Sequence, residues 1–237
     1  MSNEPVIHFG IAMKSKSRGY RLTRDNYATI SNKSTHGKNM HYIQALKDNN
    51  QRIIALYSKI YADEEGLVYS ESWCEKRLVE AMQNYDLNME FFKKLDAVKF
   101  NNELMNFLET TDFFEVTDLS KFSCPGYYAM VLGEYSQIYI GTSTDIKRRI
   151  GQHWSGGKMK LDRLLCGDMT RSKLSIDSFR ALDTTRIFVY PTDNTFYKED
   201  QFINCISNEF VCNRIKGGNI ELGSLEAVAS IKTRVLE

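Results

Sequence analysis

No apolar run in the sequence approaches the roughly 18–20 residues that a bilayer-spanning helix needs. The opening Met-Ser-Asn-Glu-Pro lacks the basic-then-apolar layout of a secretory leader. A cytoplasmic protein is the expectation. Five cysteines (Cys74, Cys124, Cys166, Cys205 and Cys212) include no CxxC pair. An odd count without ligand spacing argues against a disulfide framework and against structural zinc, and leaves buried free thiols as the expectation. Internal repeats and low-complexity tracts are absent. Net charge is nearly absent too, at +1, and by itself makes no case for a nucleic-acid partner.

What is present is ordinary in amount and uneven in distribution. The 237 residues, 42% hydrophobic and 26% charged, suit a soluble chain of one large domain or two small ones. Lys14, Lys16, Arg18, Arg21, Arg24, Lys33 and Lys38 stand against one acid, Asp25, between residues 14 and 38. Residues 60–119 reverse the balance, with fourteen acids and five bases. Residues 141–180 turn basic again, with nine bases and four acids. Such asymmetry points to a charged partner.

Periodicity divides the chain further. Val6 to Gly10 reads as a short strand, and Lys14 to Lys38 as a loop or arm with Tyr20 and Tyr27 interleaved. Residues 41–109 read as three or four helices, because Ile53, Ile54, Tyr57 and Ile60, then Leu78, Val79, Met82 and Tyr85, recur at helical spacing. Tyr57, Tyr61, Trp73, Tyr85, Phe91, Phe92 and Phe107 are expected in the core. The acidic stretch reads as scaffold or as a self-association surface. From Phe122 the texture changes. Tyr127 to Leu132 and Gln137 to Ile140 are β-rich runs around Gly133-Glu-Tyr-Ser, a hairpin signature. Thr144 or Asp145 can cap a helix to about Trp154; Arg186 to Tyr190 reads as a third strand. Asp193, Asn194 or Thr195 can cap a last helix through Phe210. The expected fold is therefore α+β, a small β-β-α-β-α sheet unit preceded by a mainly helical region. The boundaries expected are 1–40 for the basic arm and short strand, 41–120 for the helical region, 121–220 for the sheet unit and 221–237 for a tail.

Helical geometry selects the residues able to carry chemistry. Ile146, Arg149, Ile150 and His153 lie on one stripe, since each residue turns the helix by ~100°. Arg149 and His153 form an i,i+4 pair able to act at one site, whereas Lys147 and Arg148 point away. An arginine on an apolar stripe calls for an anionic partner or substrate. Glu199 shares the face of Phe202 and Ile203, while Lys198 and Asp200 do not.

These residues, in this order, resemble the GIY-YIG nuclease family. Gly126-Tyr127-Tyr128 stands at the first triplet, with Tyr127 in place of isoleucine, and Tyr139-Ile140-Gly141 matches the second in full. Arg149 is eight residues beyond Gly141, where the family has its arginine, and His153 follows one turn later. Glu199 falls in the helix after the third strand, and Asn213 lies fourteen residues on. The resemblance covers roughly residues 122–220. Thr142 departs from it, since many members carry lysine there. Trp154 to Asp183 is longer and more polar than in the smallest members and reads as a substrate-contacting insertion.

The resemblance implies a DNA endonuclease that uses one Mg²⁺ or Mn²⁺ ion on Glu199, a hard cation that keeps several waters. It implies Arg149 as phosphate clamp and a tyrosine as general base. Tyr128 is favoured over Tyr139, with Tyr139 and His153 orienting or relaying the proton and Asn213 positioning the site. A tyrosine of pKa ~10 is only ~0.1% ionised at neutral pH, so a cation is expected to lower it by ~1–3 units. Lys14, Lys16, Arg18, Arg21 and Arg24 from the arm, and Lys158, Lys160 and Arg171 from the insertion, are the expected DNA contacts. The expected partner is duplex DNA, with no membrane, cut by a homodimer or by sequential nicking. Restriction or defence is the leading role. The competing ones are structure-specific repair, a mobile-element endonuclease, a toxin, or a nucleic-acid-binding protein without activity.

Overall fold

Each long helix of the N-terminal half begins on a side chain that satisfies its free backbone N–H groups. In the computed structural model, which describes residues 5–13, 20–27, 40, 42–155, 174–194 and 197–213, α2 (Gln51–Tyr61) starts from Asn50, whose side chain accepts from Ile53 N. The next helix, α3 (Glu71–Lys94), starts from Ser70, which accepts from Trp73 N. Asp96 accepts from Val98 N and Lys99 N to open α4 (Ala97–Glu109). Each such cap is worth about 1 kcal/mol. A one-turn helix, α1 (Arg24–Tyr27), precedes them, and residues 42–47 are helical as well.

The chain opens in two short antiparallel strands, β1 (Ile7–His8) and β2 (Ile11–Ala12), rather than the single strand expected. The reason is Phe9-Gly10, both at positive φ (46° and 73°), the geometry of a two-residue hairpin turn. A Cβ on Gly10 would also run into the Asp118 carboxylate.

The main sheet has four antiparallel strands in the order β3-β6-β4-β5: β3 (Phe114–Val116), β4 (Gly126–Leu132), β5 (Gln137–Ser143) and β6 (Arg186–Pro191). The three residues of β3 are too short a run to show a period-2 pattern in the sequence, and register against Ile187, Phe188 and Val189 makes them a strand. All seven residues of β4 are buried, so both faces of the sheet are covered. Alternation sorts the side chains. Tyr127, Ala129, Val131, Ile138, Ile140 and Phe188 face one layer, formed by Phe100, Leu104 and Phe107 of α4 together with Phe202, Ile203 and Phe210. Tyr128, Met130, Leu132, Ile187 and Val189 face the other. There α5 (Ile146–Ser155) contributes Ile146, Ile150 and Trp154, and α3 contributes Phe92. Burial of one such large apolar side chain is worth about 1.5–3 kcal/mol.

That second layer also takes in the N-terminal residues Met13, Leu22, Tyr27, Tyr57, Tyr61 and Trp73. Tyr57, Tyr61, Trp73, Phe92 and Phe107 are buried, and Tyr85 and Phe91 partly so, as expected of core aromatics. Asp183, fully buried, ties the layer together. It accepts from Leu22 N, Arg180 N and the Tyr135 hydroxyl.

One expectation needs correction in full and a second in part. The last helix does not run to Phe210. It is one short piece, α6 (Glu199–Ile203), followed by a 3₁₀ turn at Asn208–Phe210, and no side chain caps its start. Ser207 breaks it, fixed by Glu103, which accepts from both its N–H and its hydroxyl. Of the long polar segment, residues 156–173 lie outside the described residues, and the described end packs inward rather than reading as polar. Leu174, Ile176, Phe179 and Ala181 are buried on the α5 side of the sheet in two 3₁₀ turns, Ile176–Ser178 and Ala181–Asp183. Of the described cysteines, Cys74 and Cys212 are buried, Cys124 is half-buried and Cys205 is exposed. The tail 221–237 lies outside the described residues.

Candidate active site

The site is built where the first two motif strands meet α5. Antiparallel register sets Tyr128 of β4 opposite Gly141 of β5, and Tyr139 opposite Met130. Tyr128 and Tyr139 thus emerge on the same face, with ring centroids 6.1 Å apart. Gly141 is what allows this packing. A Cβ there would sit 2.6 Å from the Tyr128 Oη and 2.9 Å from Tyr139 Cε1. Gly126 is demanded in the same way, since a Cβ would strike Tyr190 O and lie 2.8 Å from Pro191 Cα.

The start of α5 is fixed by Asp145, not Thr144: Asp145 Oδ1 accepts from Arg148 N at 2.8 Å, and Ser143 Oγ accepts from Asp145 N at 3.0 Å. The stripe falls as spacing dictates except at Lys147, expected to point away with Arg148. Ile146, Ile150 and His153 are buried, Arg149 and Lys147 half-buried and Arg148 exposed. His153 reaches Tyr128: its Nε2 lies 2.9 Å from the Tyr128 hydroxyl. Its ring also stands edge-on to Tyr139, with centroids 5.0 Å apart. On the opposite side its Nδ1 lies 2.8 Å from Asp177 Oδ1. Asp177 is the member that sequence reasoning missed. It belongs to a 3₁₀ turn more than twenty residues downstream, and no local pattern marks it.

Burial dominates the electrostatics. It pushes Tyr128 well above its ordinary pKa, and Tyr139 beside it adds to this, while the Arg149 charge pulls the other way and loses. Tyr139 is raised for the same first reason, with Arg149 again opposing. Arg149 thus acts in the direction expected of a cation, and in the metal-free protein desolvation is the larger effect. Burial also works against the Arg149 charge, but the two tyrosines offset it and the guanidinium stays firmly protonated.

Glu199 opens α6 and is buried with Phe202 and Ile203, the face assigned to it by spacing. Its carboxyl is pushed up to about 7 by burial and by Asp200, with Arg149 opposing. Tyr139 feels the same carboxylate, so Glu199 and Arg149 act on one corner of the site. Tyr127 holds that corner through its hydroxyl, which donates to Asn194 O and accepts from Lys198 N, each at 3.0 Å. Tyrosine in the middle of the first triplet is thus more than an apolar replacement: it anchors the segment that delivers Glu199.

Asn213 closes the outer edge. Its side chain accepts from Ile140 N at 3.0 Å and donates to Ile140 O at 2.5 Å, standing in for a strand partner. With Cys212 N bonded to Ile138 O, it covers the free edge of β5 and fixes the backbone between Tyr139 and Gly141. Thr142, at the position where many members carry lysine, donates its hydroxyl to Gly126 O at 3.3 Å.

Six residues are thereby gathered: Tyr128, Tyr139, Arg149 and His153 in one cluster, Glu199 at its edge, and Asn213 behind it. Of the expected DNA contacts, Arg21 and Arg24 are among the described residues. Arg21 pairs with Glu134 and Arg24 with Asp86, both as half-exposed ion pairs of about 0–1 kcal/mol. Lys14, Lys16, Arg18, Lys158, Lys160 and Arg171 lie outside the described residues.

The donor set fits a hard divalent cation. Glu199 is a buried carboxylate with no hydrogen bond or ion pair among the described residues, and no cluster of three or more His, Cys, Asp or Glu side chains stands among those residues. One oxygen ligand with retained waters suits Mg²⁺ or Mn²⁺ better than zinc, which takes three or four protein ligands, mostly nitrogen or sulfur.

Against known proteins, residues 124–206 match the family model of the GIY-YIG catalytic domain. No curated protein and no solved structure matches the chain. The matched span, about a third of the chain, holds both triplets, Arg149, His153, Asp177 and Glu199, and marks these residues as similar to the catalytic domain of the GIY-YIG nucleases.

Proposed function

We propose that the protein is a divalent-metal-dependent DNA endonuclease. The observation that carries this reading is the convergence of Tyr128, His153 and Arg149 beside a buried Glu199 that has no partner among the described residues. Bound at Glu199, the ion would supply positive charge to the scissile phosphate and its leaving oxygen. Arg149 neutralises charge as it builds on the phosphate; a guanidinium held by protein is already oriented for this. Tyr128 takes a proton from the attacking water as it hands its own to His153. Its raised pKa makes a standing phenolate unavailable, so the acceptor at 2.9 Å is what makes it a base. Tyr139 packs against both rings and keeps them in place.

Duplex DNA is the substrate we assign. One site per chain must meet two strands, so cleavage of both runs through a homodimer or sequential nicking. Restriction or defence is the setting this favours. The N-terminal elements share one buried core with the sheet, an arrangement that would suit reading a sequence beside the cut. Cleavage of linear duplexes of varied sequence tests it. Discrete fragments that end at one short sequence support restriction. Preference for branched over linear DNA of identical sequence would move the assignment to repair.

A further inference from the structure

The domain match and the two triplets do not account for Asp177. We infer that Asp177 is a positioning residue that sets the tautomer of His153, making Tyr128–His153–Asp177 a proton relay; the inference rests on the nuclease reading above.

The chemistry of each atom fixes the protons. An ionised carboxylate can only accept hydrogen bonds. Asp177 Oδ1 lies 2.8 Å from His153 Nδ1, so Nδ1 carries the proton in the neutral ring. Nε2 is then a bare lone pair, and it faces the Tyr128 hydroxyl at 2.9 Å. Tyr128 is consequently the donor in that contact. The three groups come from three separate elements (β4, α5 and the turn Ile176–Ser178), yet they form one line of two short hydrogen bonds around an imidazole that is only 2% exposed.

The line has a direction. Water oxygen forms a bond to phosphorus, and the bond from phosphorus to the leaving oxygen breaks with its electron pair. The water proton passes to Tyr128 Oη, and the Tyr128 proton passes to His153 Nε2. The leaving oxyanion takes a proton from solvent, and His153 later returns one. In between, His153 is an imidazolium buried beside a carboxylate, which stabilises it. Without Asp177, Nε2 can carry the proton instead, and the relay is blocked at its second step. Among the described residues, the charged and titratable groups around the ring are Tyr128 from β4, Tyr139 from β5, Asp177 from the turn and Arg149 from α5 itself. Glu199 reaches the same corner through Tyr139. Arg149 opposes the imidazolium, and Asp177, in direct contact with Nδ1, favours it.

The test pairs kinetics with a spectrum. Asp177→Asn keeps the shape but removes the anion, and its amide can offer Nδ1 an N–H as well as an oxygen, so the Nδ1–H tautomer is no longer enforced. Cleavage of plasmid DNA with Mg²⁺ should fall in kcat by about 10²–10⁴-fold, with KM within about threefold. The acid limb of its pH profile should move to lower pH, because the anion that favours imidazolium is gone. Asp177→Glu should recover part of the rate. ¹⁵N spectra of the histidine rings, assigned with His153→Gln, should show Nδ1–H in the wild-type protein and in Asp177→Glu, and Nε2–H appearing in Asp177→Asn. An unchanged kcat and pH profile in Asp177→Asn overturns the inference, as does a wild-type ring protonated on Nε2. Failure of the wild-type protein to cut any DNA would instead remove the proposed function, while the spectrum still decides how Asp177 holds His153.

Discussion

Replacing Glu199 by glutamine should make the metal-free protein more stable at alkaline pH and leave it unchanged at acid pH. The carboxyl sits in a buried position that raises its pKa from the ordinary 4.5 to about 7, chiefly through burial and then through Asp200. The folded state therefore holds this proton more tightly than the unfolded chain. Below the unfolded value both states are protonated and the group contributes nothing. Between 4.5 and about 7 the folded state binds more protons, so stability falls as pH rises; above about 7 the whole penalty is present. At 1.36 kcal/mol per pH unit, a rise from 4.5 to about 7 bounds the penalty at about 3 kcal/mol. The carboxylate retains some access to water, so about 1–2 kcal/mol is expected. A glutamine amide at this position has no charge to desolvate. Urea unfolding in chelator, at about pH 5 and about pH 8, reads the difference directly. Mg²⁺ should then stabilise the wild-type protein at the higher pH and not Glu199→Gln. A glutamine variant equal to or weaker than wild type at the higher pH refutes the reasoning, as does a gap that does not grow between the two.

Three further outcomes follow from the packing. Gly141→Ala places a methyl group 2.6 Å from the Tyr128 Oη, so it should cost about 1–3 kcal/mol in thermal unfolding and uncouple Tyr128 from His153 in the ring spectrum. Tyr127→Phe loses the hydroxyl that bonds both Asn194 O and Lys198 N; about 1–2 kcal/mol of stability should go, and calorimetric Mg²⁺ affinity should weaken because Glu199 follows directly. Asp183→Ala strips three donors, Leu22 N, Arg180 N and the Tyr135 hydroxyl, of their buried acceptor, and a loss of about 2–5 kcal/mol in urea unfolding is expected.

Local periodicity is enough to read α5, and with it the side of the helix that Arg149 and His153 share, because both depend only on a turn of ~100° per residue. The β4–β5 hairpin is equally legible, since alternation and Gly133-Glu-Tyr-Ser coincide. The short α6 is not: its end is set by Ser207 bonded to Glu103, a partner 104 residues away. Strand β3 exists only through its register with β6. The same limit hides Asp177, whose place beside His153 depends on how a distant turn packs under the sheet. The pKa of Tyr128 escapes the sequence because a nearby cation can be inferred from spacing, whereas complete burial cannot.

Supercoiled plasmid incubated with the full chain and Mg²⁺ or Mn²⁺ tests the central claim most directly. Wild type should convert it to open-circular and linear forms. Glu199→Ala and Arg149→Ala, both folded by thermal unfolding, should leave it supercoiled. Intact plasmid with wild type under both metals, or equal cleavage by the two variants, would contradict a metal-dependent site built on these residues.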